Sequence, residues 1–330
     1  SNNRPSIMAM EPAVPLKLDS MGERLEDWLR RNLVTPELEG CLQAIFAACE
    51  EISYCLGTAS TDKTNSVNEF GDQQLSIDVI ADQIFFDYLS KTSSVATASS
   101  EEKPAEKFLN ESGQFSVAFD PLDGSSVIDT NFSVGTIFGV WPGSRLVGVT
   151  GRSLLSSGMA VYGPQTTLSL AVHNVEGAHE FLLVKESGKL GSWVHRRTFS
   201  SIREGKLFAP GNLRAAQDNP GYKRLLDHYY SNKYQLRYTG AMVPDVNQIL
   251  IKGKGVFCNP GSPTAKAKLR LLYEIVPIGF IMEKAGAKSS DGRRSVLDIK
   301  ISSTDGRSQV CFGSPLEVER FETLVGRAPE

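Results

Sequence analysis

The amino-acid sequence predicts a protein of layered α and β structure with two sheets. Its 330 residues exceed the usual size of a single hydrophobic core, which favours two domains of roughly 150 residues each. Apolar residues make up 41% of the chain and charged residues 22%, as in an ordinary globular protein. Segments with helical spacing of apolar residues occur together with segments rich in β-branched and aromatic residues, the mixture that layered α/β folds contain.

Three helices are predicted in the N-terminal part. A capping box at residues 20–23 precedes a helix in which Leu25 and Trp28 have helical spacing. A second helix is predicted to begin at Thr35 and a third at Ser76, each with apolar residues along one stripe. The polar stretch TDKTNSVN between the second and third helices predicts a loop.

The centre of the chain changes to the pattern of buried strands. β-branched and aromatic residues predominate in FSVAF, FSVGTIFGVW, GMAVYG and TTLSLAVH, and a short helical stretch is predicted near residues 153–157. Residues 188–203 are polar and rich in turn formers, which predicts a domain boundary at about residue 197. We therefore expect an N-terminal domain over residues 1–197 and a C-terminal domain over residues 198–330.

The C-terminal part mixes both patterns. Strands are predicted in KLFA, YQLRYT and GVFCN, and helices in YKRLLDHYY, VPDVNQILIK and KAKLRLLYEIVPIGFIMEKAG. Because strand signals occur in two groups along the chain, we expect two sheets with helices packed on them.

Charge and composition exclude several classes of partner. The net charge is −3 and no long basic block occurs, so a nucleic-acid-binding face is not expected. No stretch approaches the roughly 20 apolar residues of a membrane span, and the N-terminal residues lack the apolar core of a signal peptide. The five cysteines have no C-x-x-C spacing, which favours buried thiols in a reducing compartment over disulfides or a metal site.

Acidic residues at the edges of apolar segments are the first functional signal. They are Asp72, Asp78, Glu101, Glu102, Asp120 and Asp123. Two carboxylates about 4 Å apart repel by about 4 kcal/mol at an effective dielectric of 20, so a convergent group of them requires a cation. Hard oxygen ligands favour Mg2+ or Mn2+ over zinc. Taken singly, these pieces are also typical of an acidic turn and a solvated loop.

The stretch FDPLDGSS adds a phosphate signal. Pro121 restricts the backbone and holds Asp120 and Asp123 in one turn, which can present the carbonyl of Leu122 between them. The residues that follow supply N–H groups suited to a phosphate, with Ser125 as the predicted helix cap: Gly124, Ser125 and Ser126. Metal and phosphate are therefore expected to meet at one place.

The order SSEE followed by FDPLDGSS resembles the magnesium-dependent, lithium-sensitive sugar phosphatase superfamily, which includes inositol monophosphatase and fructose-1,6-bisphosphatase. Longer strings are similar to its sedoheptulose-bisphosphatase branch, among them FSVAFDPLDGSSVIDTNFSVGTIFGVWPG, KLFAPGNLRA, LRYTGAMVPDVNQI and SPTAKAKLRLLYE. The similarity runs from about residue 38 to the C-terminus. It implies a layered sugar-phosphatase fold, with alternating α/β/α/β/α layers and two mixed sheets.

The resemblance also implies a metal site for two or three Mg2+ ions per subunit, with Mn2+ as an alternative. Its ligands would be Glu101, Glu102, Asp120, the carbonyl of Leu122, Asp123 and Glu274. Glu274 is assigned by the resemblance alone, since by itself it is one acid in an amphipathic helix. The residues implied to orient or deprotonate water are Asp72, Asp78 and Glu102, and their order of importance stays open.

For the substrate, the resemblance implies contacts of the sugar and its distal phosphate with Asn212, Arg237, Tyr238 and Lys268, with Arg270 nearer the metals. Lys266, Lys268 and Arg270 alternate and would share one face of an extended segment, although a solvated basic face is the simpler interpretation without the family. Where fructose-bisphosphatases carry two tyrosines, this chain has Ala215 and Cys258, with Arg214 as a replacement cation.

The implied reaction is magnesium-dependent hydrolysis of the 1-phosphate of sedoheptulose 1,7-bisphosphate, which gives sedoheptulose 7-phosphate and phosphate. A fructose-1,6-bisphosphatase or an enzyme of dual specificity is the alternative. A sugar-phosphate-binding regulator without activity is the non-enzymatic alternative, and a scaffold protein is the weakest, because neither requires the acidic residues.

The resemblance also bears on regulation, assembly and compartment. The chloroplast enzymes carry a loop with two cysteines that form a reducible disulfide, whereas here residues 61–66 read TDKTNS, so we expect no thiol-dependent activation. The family implies a homodimer or homotetramer. No transit peptide is visible, which favours the cytoplasm, with the plastid as the alternative if a leader was removed.

Overall fold

A computed structural model describes residues 22–32, 34–58, 63–67, 73–185 and 191–326. Asp72 and the first half of the predicted capping box at residues 20–23 lie outside these residues. None of the helices in the described part combines the length and the apolar character needed to cross a membrane.

The N-terminal helices are α1 (Leu25–Arg31), α2 (Pro36–Cys55) and α3 (Ser76–Ser90). Thr35 caps α2 through a hydrogen bond from the backbone N–H of Leu38, as the sequence predicts. The predicted loop between α2 and α3 is wrong in part, because β1 (Lys63–Val67) pairs with β2 (Gln73–Leu75) in a two-stranded ribbon.

The larger sheet has eight strands in the order β10-β9-β8-β7-β6-β5-β3-β4. Its strands are β3 (Val95–Ser100), β4 (Lys107–Phe108), β5 (Phe115–Asp123), β6 (Val134–Pro142), β7 (Ser156–Tyr162), β8 (Thr166–Val172), β9 (Ala178–Val184) and β10 (Ser192–Phe199). Only β3 and β5 are parallel neighbours, so the sheet is mixed. A four-residue helix, α4 (Ser125–Ile128), follows β5 directly.

The second sheet has five strands in the order β12-β11-β13-β15-β14 and is also mixed. Its strands are β11 (Arg203–Pro210), β12 (Gln235–Leu236), β13 (Lys254–Asn259), β14 (Lys288–Ser290) and β15 (Val310–Gly313). The helices of this part are α5 (Pro220–Ser231), α6 (Met242–Lys252), α7 (Val276–Lys284) and α8 (Pro315–Leu324). The prediction of two mixed sheets is thus confirmed.

Three buried cores show how the layers stack. The first joins α1, α2 and α3 to one face of the larger sheet, through residues such as Trp28, Phe85 and Phe119. The second lies between the sheets and contains the apolar sides of α6 and α7. The third packs α5 and α8 on the outer face of the smaller sheet, where Tyr222 is fully buried. The order is therefore α/β/α/β/α, as expected.

Several local predictions were wrong. The region around residue 197 is not a turn-rich linker, because β10 continues through it to Phe199. The helical stretch near residues 153–157 is a 3-10 turn at Gly151–Ser153, followed by β7. Propensity favours a long helix over KAKLRLLYEIVPIGFIMEKAG, but the regular α-helix begins only at Val276, after a non-helical stretch and a π-helical turn at Leu271–Ile275.

Candidate metal and phosphate site

A β-bulge places the two aspartates of the DPLD stretch on the same side of the larger sheet. Asp120 pairs with Ile137 and Asp123 pairs with Gly135, so β5 has one residue more than β6 in this interval. In a regular strand, residues three positions apart point to opposite faces. The extra residue restores Asp123 to the face of Asp120, between the two sheets. The bulge thus turns two spaced carboxylates into a pair.

The N-terminus of α6 faces Asp123 across this space. The backbone N–H of Val243 donates to Asp123 Oδ2 at 2.7 Å, an arrangement that stabilises a negative charge at a helix N-terminus. Gly135 permits this approach, because a Cβ there would overlap the Val243 side chain and lie 2.5 Å from the Ala160 carbonyl oxygen. Asp120 Oδ1 accepts the N–H of Leu122 at 3.0 Å, which orders the bulge from within.

Glu274 reaches the pair from the C-terminal half of the chain. It lies in a π-helical turn, Leu271–Ile275, immediately before α7. The backbone N–H of Arg270 donates to Glu274 Oε2 at 2.6 Å and fixes the carboxylate. Short π-helical turns are frequent at functional sites because they displace one side chain from the regular helical register.

Asp120, Asp123 and Glu274 form a compact group in which one carboxylate oxygen of each lies within 4.8 Å of the others, and all three are buried. Burial, followed by repulsion from Asp123, raises the pKa of Asp120 well above its usual range. Burial raises the pKa of Asp123 to about 6 and that of Glu274 to about 7. Three buried acids that resist ionisation together are suited to a divalent cation, which would offset their charge.

The two glutamates of SSEE follow the end of β3 and are half-buried. Glu101 forms an ion pair with the buried guanidinium of Arg270. Glu102 contributes to the raised pKa of Asp120, which puts its charge near the compact group. The carbonyl-bearing residue Leu122 is buried within the bulge. The structure therefore brings the predicted ligands to one region, with Arg270 among them.

The predicted water-activating residues have different outcomes. Asp78 is 3% exposed in the first turn of α3, a helix that packs against β5. Asp72 lies outside the described residues. A further buried acid, Asp245, was missed: it accepts the N–H of Thr239 at 2.9 Å, and burial raises its pKa to about 7. Its signal in the sequence was an aspartate at helical spacing within the apolar segment VPDVNQIL.

The Gly-Ser-Ser residues follow the bulge at the start of α4. The helix cap is Gly124, with a φ of 87° and no side-chain hydrogen bond, so the prediction of Ser125 as the cap was wrong. A side chain at this position would also overlap the methyl group of Ala241. Ser125 is half-buried and Ser126 exposed in the first turn of α4.

A cationic cavity of about 400 Å3 adjoins the acidic group. Arg214, Lys268, Lys266 and Arg307 line it, together with Asn212. Arg307 was not predicted. It forms a β-bridge with Arg270, and its charge opposes the effect of burial that raises the pKa of Glu274, which places the cavity beside the carboxylates.

The alternation of Lys266, Lys268 and Arg270 does not produce one face, because Arg270 is buried beside Glu101 while both lysines are exposed. Asn212 donates both amide hydrogens to backbone carbonyls, of Pro260 at 2.8 Å and Ala265 at 2.9 Å. Its amide oxygen takes no part in these two bonds.

Arg237 and Tyr238 follow β12 and are exposed. Partial desolvation, and then the charges of Asp245 and Asp123, raise the pKa of Tyr238. Tyr238 is therefore near the acidic group, whereas Arg237 is not among the residues that line the cationic cavity.

Comparison with known proteins gives the class. Models of the fructose-1-6-bisphosphatase N-terminal and C-terminal domains match residues 25–197 and 202–326. The chain belongs to the fructose-1,6-bisphosphatase family. Together with the acidic group, this membership defines a phosphatase, that is, a phosphoric monoester hydrolase.

Individual relatives divide between two substrates. The chain is 52% identical over 309 residues to "Sedoheptulose-1,7-bisphosphatase, chloroplastic" of Spinacia oleracea, covering 93% of this chain and 79% of the relative. The protein of the same name from Chlamydomonas reinhardtii is 47% identical over 94% of this chain and 79% of its own length. The class 1 fructose-1,6-bisphosphatase of Syntrophotalea carbinolica is 35% identical over 88% of this chain and 90% of its own length.

Solved structures agree on the fold. A Toxoplasma gondii protein, provisionally named a sedoheptulose-1,7 bisphosphatase, superposes with a TM-score of 0.85 at 38% identity, covering 92% of this chain and 98% of its own. The holo form of Leishmania major fructose-1,6-bisphosphatase superposes with a TM-score of 0.85 at 29% identity and the same coverage. The layered sugar-phosphatase fold is thus confirmed.

Proposed function

We propose that the protein hydrolyses the 1-phosphate of sedoheptulose 1,7-bisphosphate to sedoheptulose 7-phosphate and phosphate in a magnesium-dependent reaction. The observation that carries the proposal is the compact group of Asp120, Asp123 and Glu274 beside a cavity lined by cations. A bisphosphate carries several negative charges, so its two ends require different partners. A metal would have to join the reacting phosphate to the acids, while cations bind the distal phosphate.

The donor atoms of the acidic group fit Mg2+, because all of them are oxygens. We propose that two or three ions are held by Glu101, Glu102, Asp120, the Leu122 carbonyl, Asp123 and Glu274, with Mn2+ as an alternative ion. When bound, the metal supplies a Lewis acid that lowers the pKa of a water molecule and offsets phosphate charge. Arg270 neutralises Glu101, which stabilises that half-buried glutamate whether or not a metal is bound.

The chain's own residues supply positioning and proton transfer. Asp72, Asp78 and Glu102 are the proposed acceptors of the proton from the attacking water. The N–H groups of Gly124, Ser125 and Ser126, with the two hydroxyls, are proposed to hold the oxygens of the reacting phosphoryl group as its charge redistributes. No covalent intermediate with the protein is involved.

The distal phosphate is proposed to bind in the cationic cavity through Arg214 and Lys268, with Arg237, Tyr238 and Arg270 also placed on the substrate side. Asn212 would accept from a sugar hydroxyl through its amide oxygen, since both its amide hydrogens are used within the chain. Because Arg214 and Lys268 line one cavity, they can act on one ligand.

Hydrolysis of fructose 1,6-bisphosphate is the second candidate, favoured by the 35% identity to a class 1 fructose-1,6-bisphosphatase. Phosphate release from both bisphosphates should be measured at equal concentration in saturating Mg2+. The proposal predicts a higher kcat/KM for the sedoheptulose substrate. A higher kcat/KM for the fructose substrate would establish the second candidate. Binding of both bisphosphates without release of phosphate would indicate a regulator that has no activity.

We further propose that activity does not depend on reduction. The structure has all five cysteines free, and four of them are buried. Phosphate release should therefore be the same before and after incubation with a dithiol. A several-fold rise after reduction would contradict this proposal.

The remaining proposals concern organisation. The division into domains at residues 1–197 and 198–330 predicts that limited proteolysis cuts first at residues 200–202, the connection between β10 and β11. A homodimer or homotetramer predicts a mass two or four times that of the chain in light scattering. We propose the cytoplasm as the compartment, with the plastid as the alternative, since the Spinacia and Chlamydomonas relatives are described as chloroplastic. Imaging of the tagged full-length protein distinguishes the two.

A further inference from the structure

The bulge in β5 has a side-chain contact on the face away from the metal site. Thr136 stands in β6 between Gly135 and Ile137, the two residues that pair with Asp123 and Asp120, so it lies opposite the bulged residues. Its hydroxyl donates to the Pro121 carbonyl oxygen at 2.8 Å, and the residue is completely buried. A side chain thus holds the bulge at the proline between the two aspartates.

The same hydroxyl continues into a chain of hydrogen bonds. Thr136 Oγ1 lies 2.8 Å from the hydroxyl of Tyr162. Both residues are buried. The carbonyl of Pro121 can only accept, so the proton of Thr136 is committed to it and Thr136 must accept from Tyr162. The direction of the chain is therefore fixed, from Tyr162 to the bulge.

We propose that Thr136, supported by Tyr162, is a positioning residue that sets the distance and direction of Asp120 and Asp123 for metal binding. It touches neither substrate nor metal; it acts by fixing the bulge without which the two carboxylates would face opposite sides of the sheet. That Asp120 and Asp123 bind a metal rests on the proposed function. A threonine within the apolar run VGTIFGV is the signal of this role in the sequence.

The expected effect follows from the loss of the two buried hydrogen bonds of the Thr136 hydroxyl. Thr136→Val keeps the shape of the side chain but leaves the Pro121 carbonyl without this donor and the Tyr162 hydroxyl without its acceptor. We expect Mg2+ binding to weaken about fivefold, which corresponds to about 1 kcal/mol. Thr136→Ser retains the hydroxyl and should bind Mg2+ as the unmodified protein does.

Thr97 provides a matched control. It is a buried threonine of the same sheet, in β3, whose hydroxyl donates to the Ser144 carbonyl oxygen at 2.9 Å. Thr97→Val removes one part-buried hydrogen bond away from the bulge, so it reports the general effect of losing a threonine hydroxyl from this sheet. It should lower the melting temperature but leave the affinity for Mg2+ unchanged.

The test is calorimetric titration of the metal-free protein with Mg2+, without substrate, accompanied by the Mg2+ dependence of phosphate release. The inference predicts that Thr136→Val weakens binding and raises the Mg2+ concentration for half-maximal rate about fivefold, while kcat at saturating Mg2+ stays within twofold. Wild-type Mg2+ affinity in Thr136→Val, or an equal loss in Thr97→Val, would overturn it.

Two further variants keep the inference testable. Tyr162→Phe removes the donor to Thr136 and should weaken Mg2+ binding less than Thr136→Val does. If Thr136→Val does not fold, an unchanged Mg2+ affinity in Tyr162→Phe would refute the proposed role of these hydrogen bonds. Asp123→Asn separates the two levels of the argument. If it retains Mg2+ binding, the metal assignment fails. If it loses binding while Thr136→Val does not, only the role of Thr136 fails.

Discussion

Replacing Asp123 by asparagine should raise the stability of the metal-free protein while removing its response to magnesium. Asp123, Asp120 and Glu274 have carboxylate oxygens within 4.8 Å of one another, and burial raises the pKa of each. Asparagine has almost the same shape and can still accept the N–H of Val243 through its amide oxygen. The variant therefore removes a charge with little change in packing.

The magnitude follows from the distances. At a separation of 4.8 Å, two carboxylates repel by about 3.5 kcal/mol at an effective dielectric of 20. In an assay at a pH above the pKa of Glu274, which is about 7, Glu274 carries the charge that Asp123 opposes. Against this, the charge-assisted hydrogen bond from Val243 becomes a neutral one, a loss of about 1 kcal/mol. The metal-free variant should therefore gain about 2–3 kcal/mol at that pH.

The assay is thermal unfolding in EDTA and again in saturating Mg2+. Asp123→Asn should melt higher than the unmodified protein in EDTA, should not shift on addition of Mg2+, and should release phosphate at a small fraction of the normal rate. Asp129→Asn, an exposed change at the end of α4, is the control and should alter none of these. A variant that melts lower in EDTA and still responds to Mg2+ would refute the electrostatic reasoning.

Three other results are expected. Gly135→Ala should cost about 1–3 kcal/mol of stability and weaken the effect of Mg2+ on melting, because its methyl group displaces Val243 from Asp123. Combining Arg214→Ala with Lys268→Ala should raise KM for the bisphosphate about 10-fold to 100-fold in steady-state assays and leave Mg2+ affinity unchanged. Burial lowers the pKa of His179 to about 4, so the unfolded chain takes up its proton first, and stability measured by denaturant should fall by about 3 kcal/mol as the pH decreases from about 6.5 to 4.

Each of these results has a control. Gly40→Ala in α2, where a methyl group meets nothing within 4 Å, should leave the response to Mg2+ intact. Lys223→Ala removes an exposed cation away from the cavity, and a KM rise equal to that of the double variant would contradict the cavity assignment. His179→Gln should reduce the loss of unfolding free energy that accompanies the decrease in pH. If the loss is unchanged in this variant, other titrating groups cause it.

Patterns that are local in the chain could be predicted from the sequence. Thr35 and Ser76 mark the beginnings of α2 and α3, and the β-branched run through Val117 and Phe119 predicts a buried strand. Asp120 and Asp123 could be recognised as a pair because only Pro121 and Leu122 lie between them, and the proline restricts the backbone of that turn. Their resemblance to known phosphatases then added Glu274, which no local pattern could have connected to them.

Features that depend on tertiary packing could not be predicted. The bulge at Pro121 and the π-helical turn that carries Glu274 exist because strand pairing and helix packing impose them, against a local preference for regular structure. The orientation of the Asn212 amide could not be predicted for the same reason, because the carbonyls that accept its amide hydrogens are distant in the sequence. Asp245 resembled any polar residue of an amphipathic helix until the fold buried it.

The most direct measurement is anomalous X-ray diffraction from crystals of this protein grown with Mn2+, sedoheptulose 7-phosphate and inorganic phosphate. The proposed function predicts anomalous peaks in contact with the carboxylates of Asp120, Asp123 and Glu274, with the phosphate beside Gly124 and the sugar 7-phosphate in the cavity lined by Arg214 and Lys268. Peaks confined to other places, in crystals where the three carboxylates are well ordered, would contradict it.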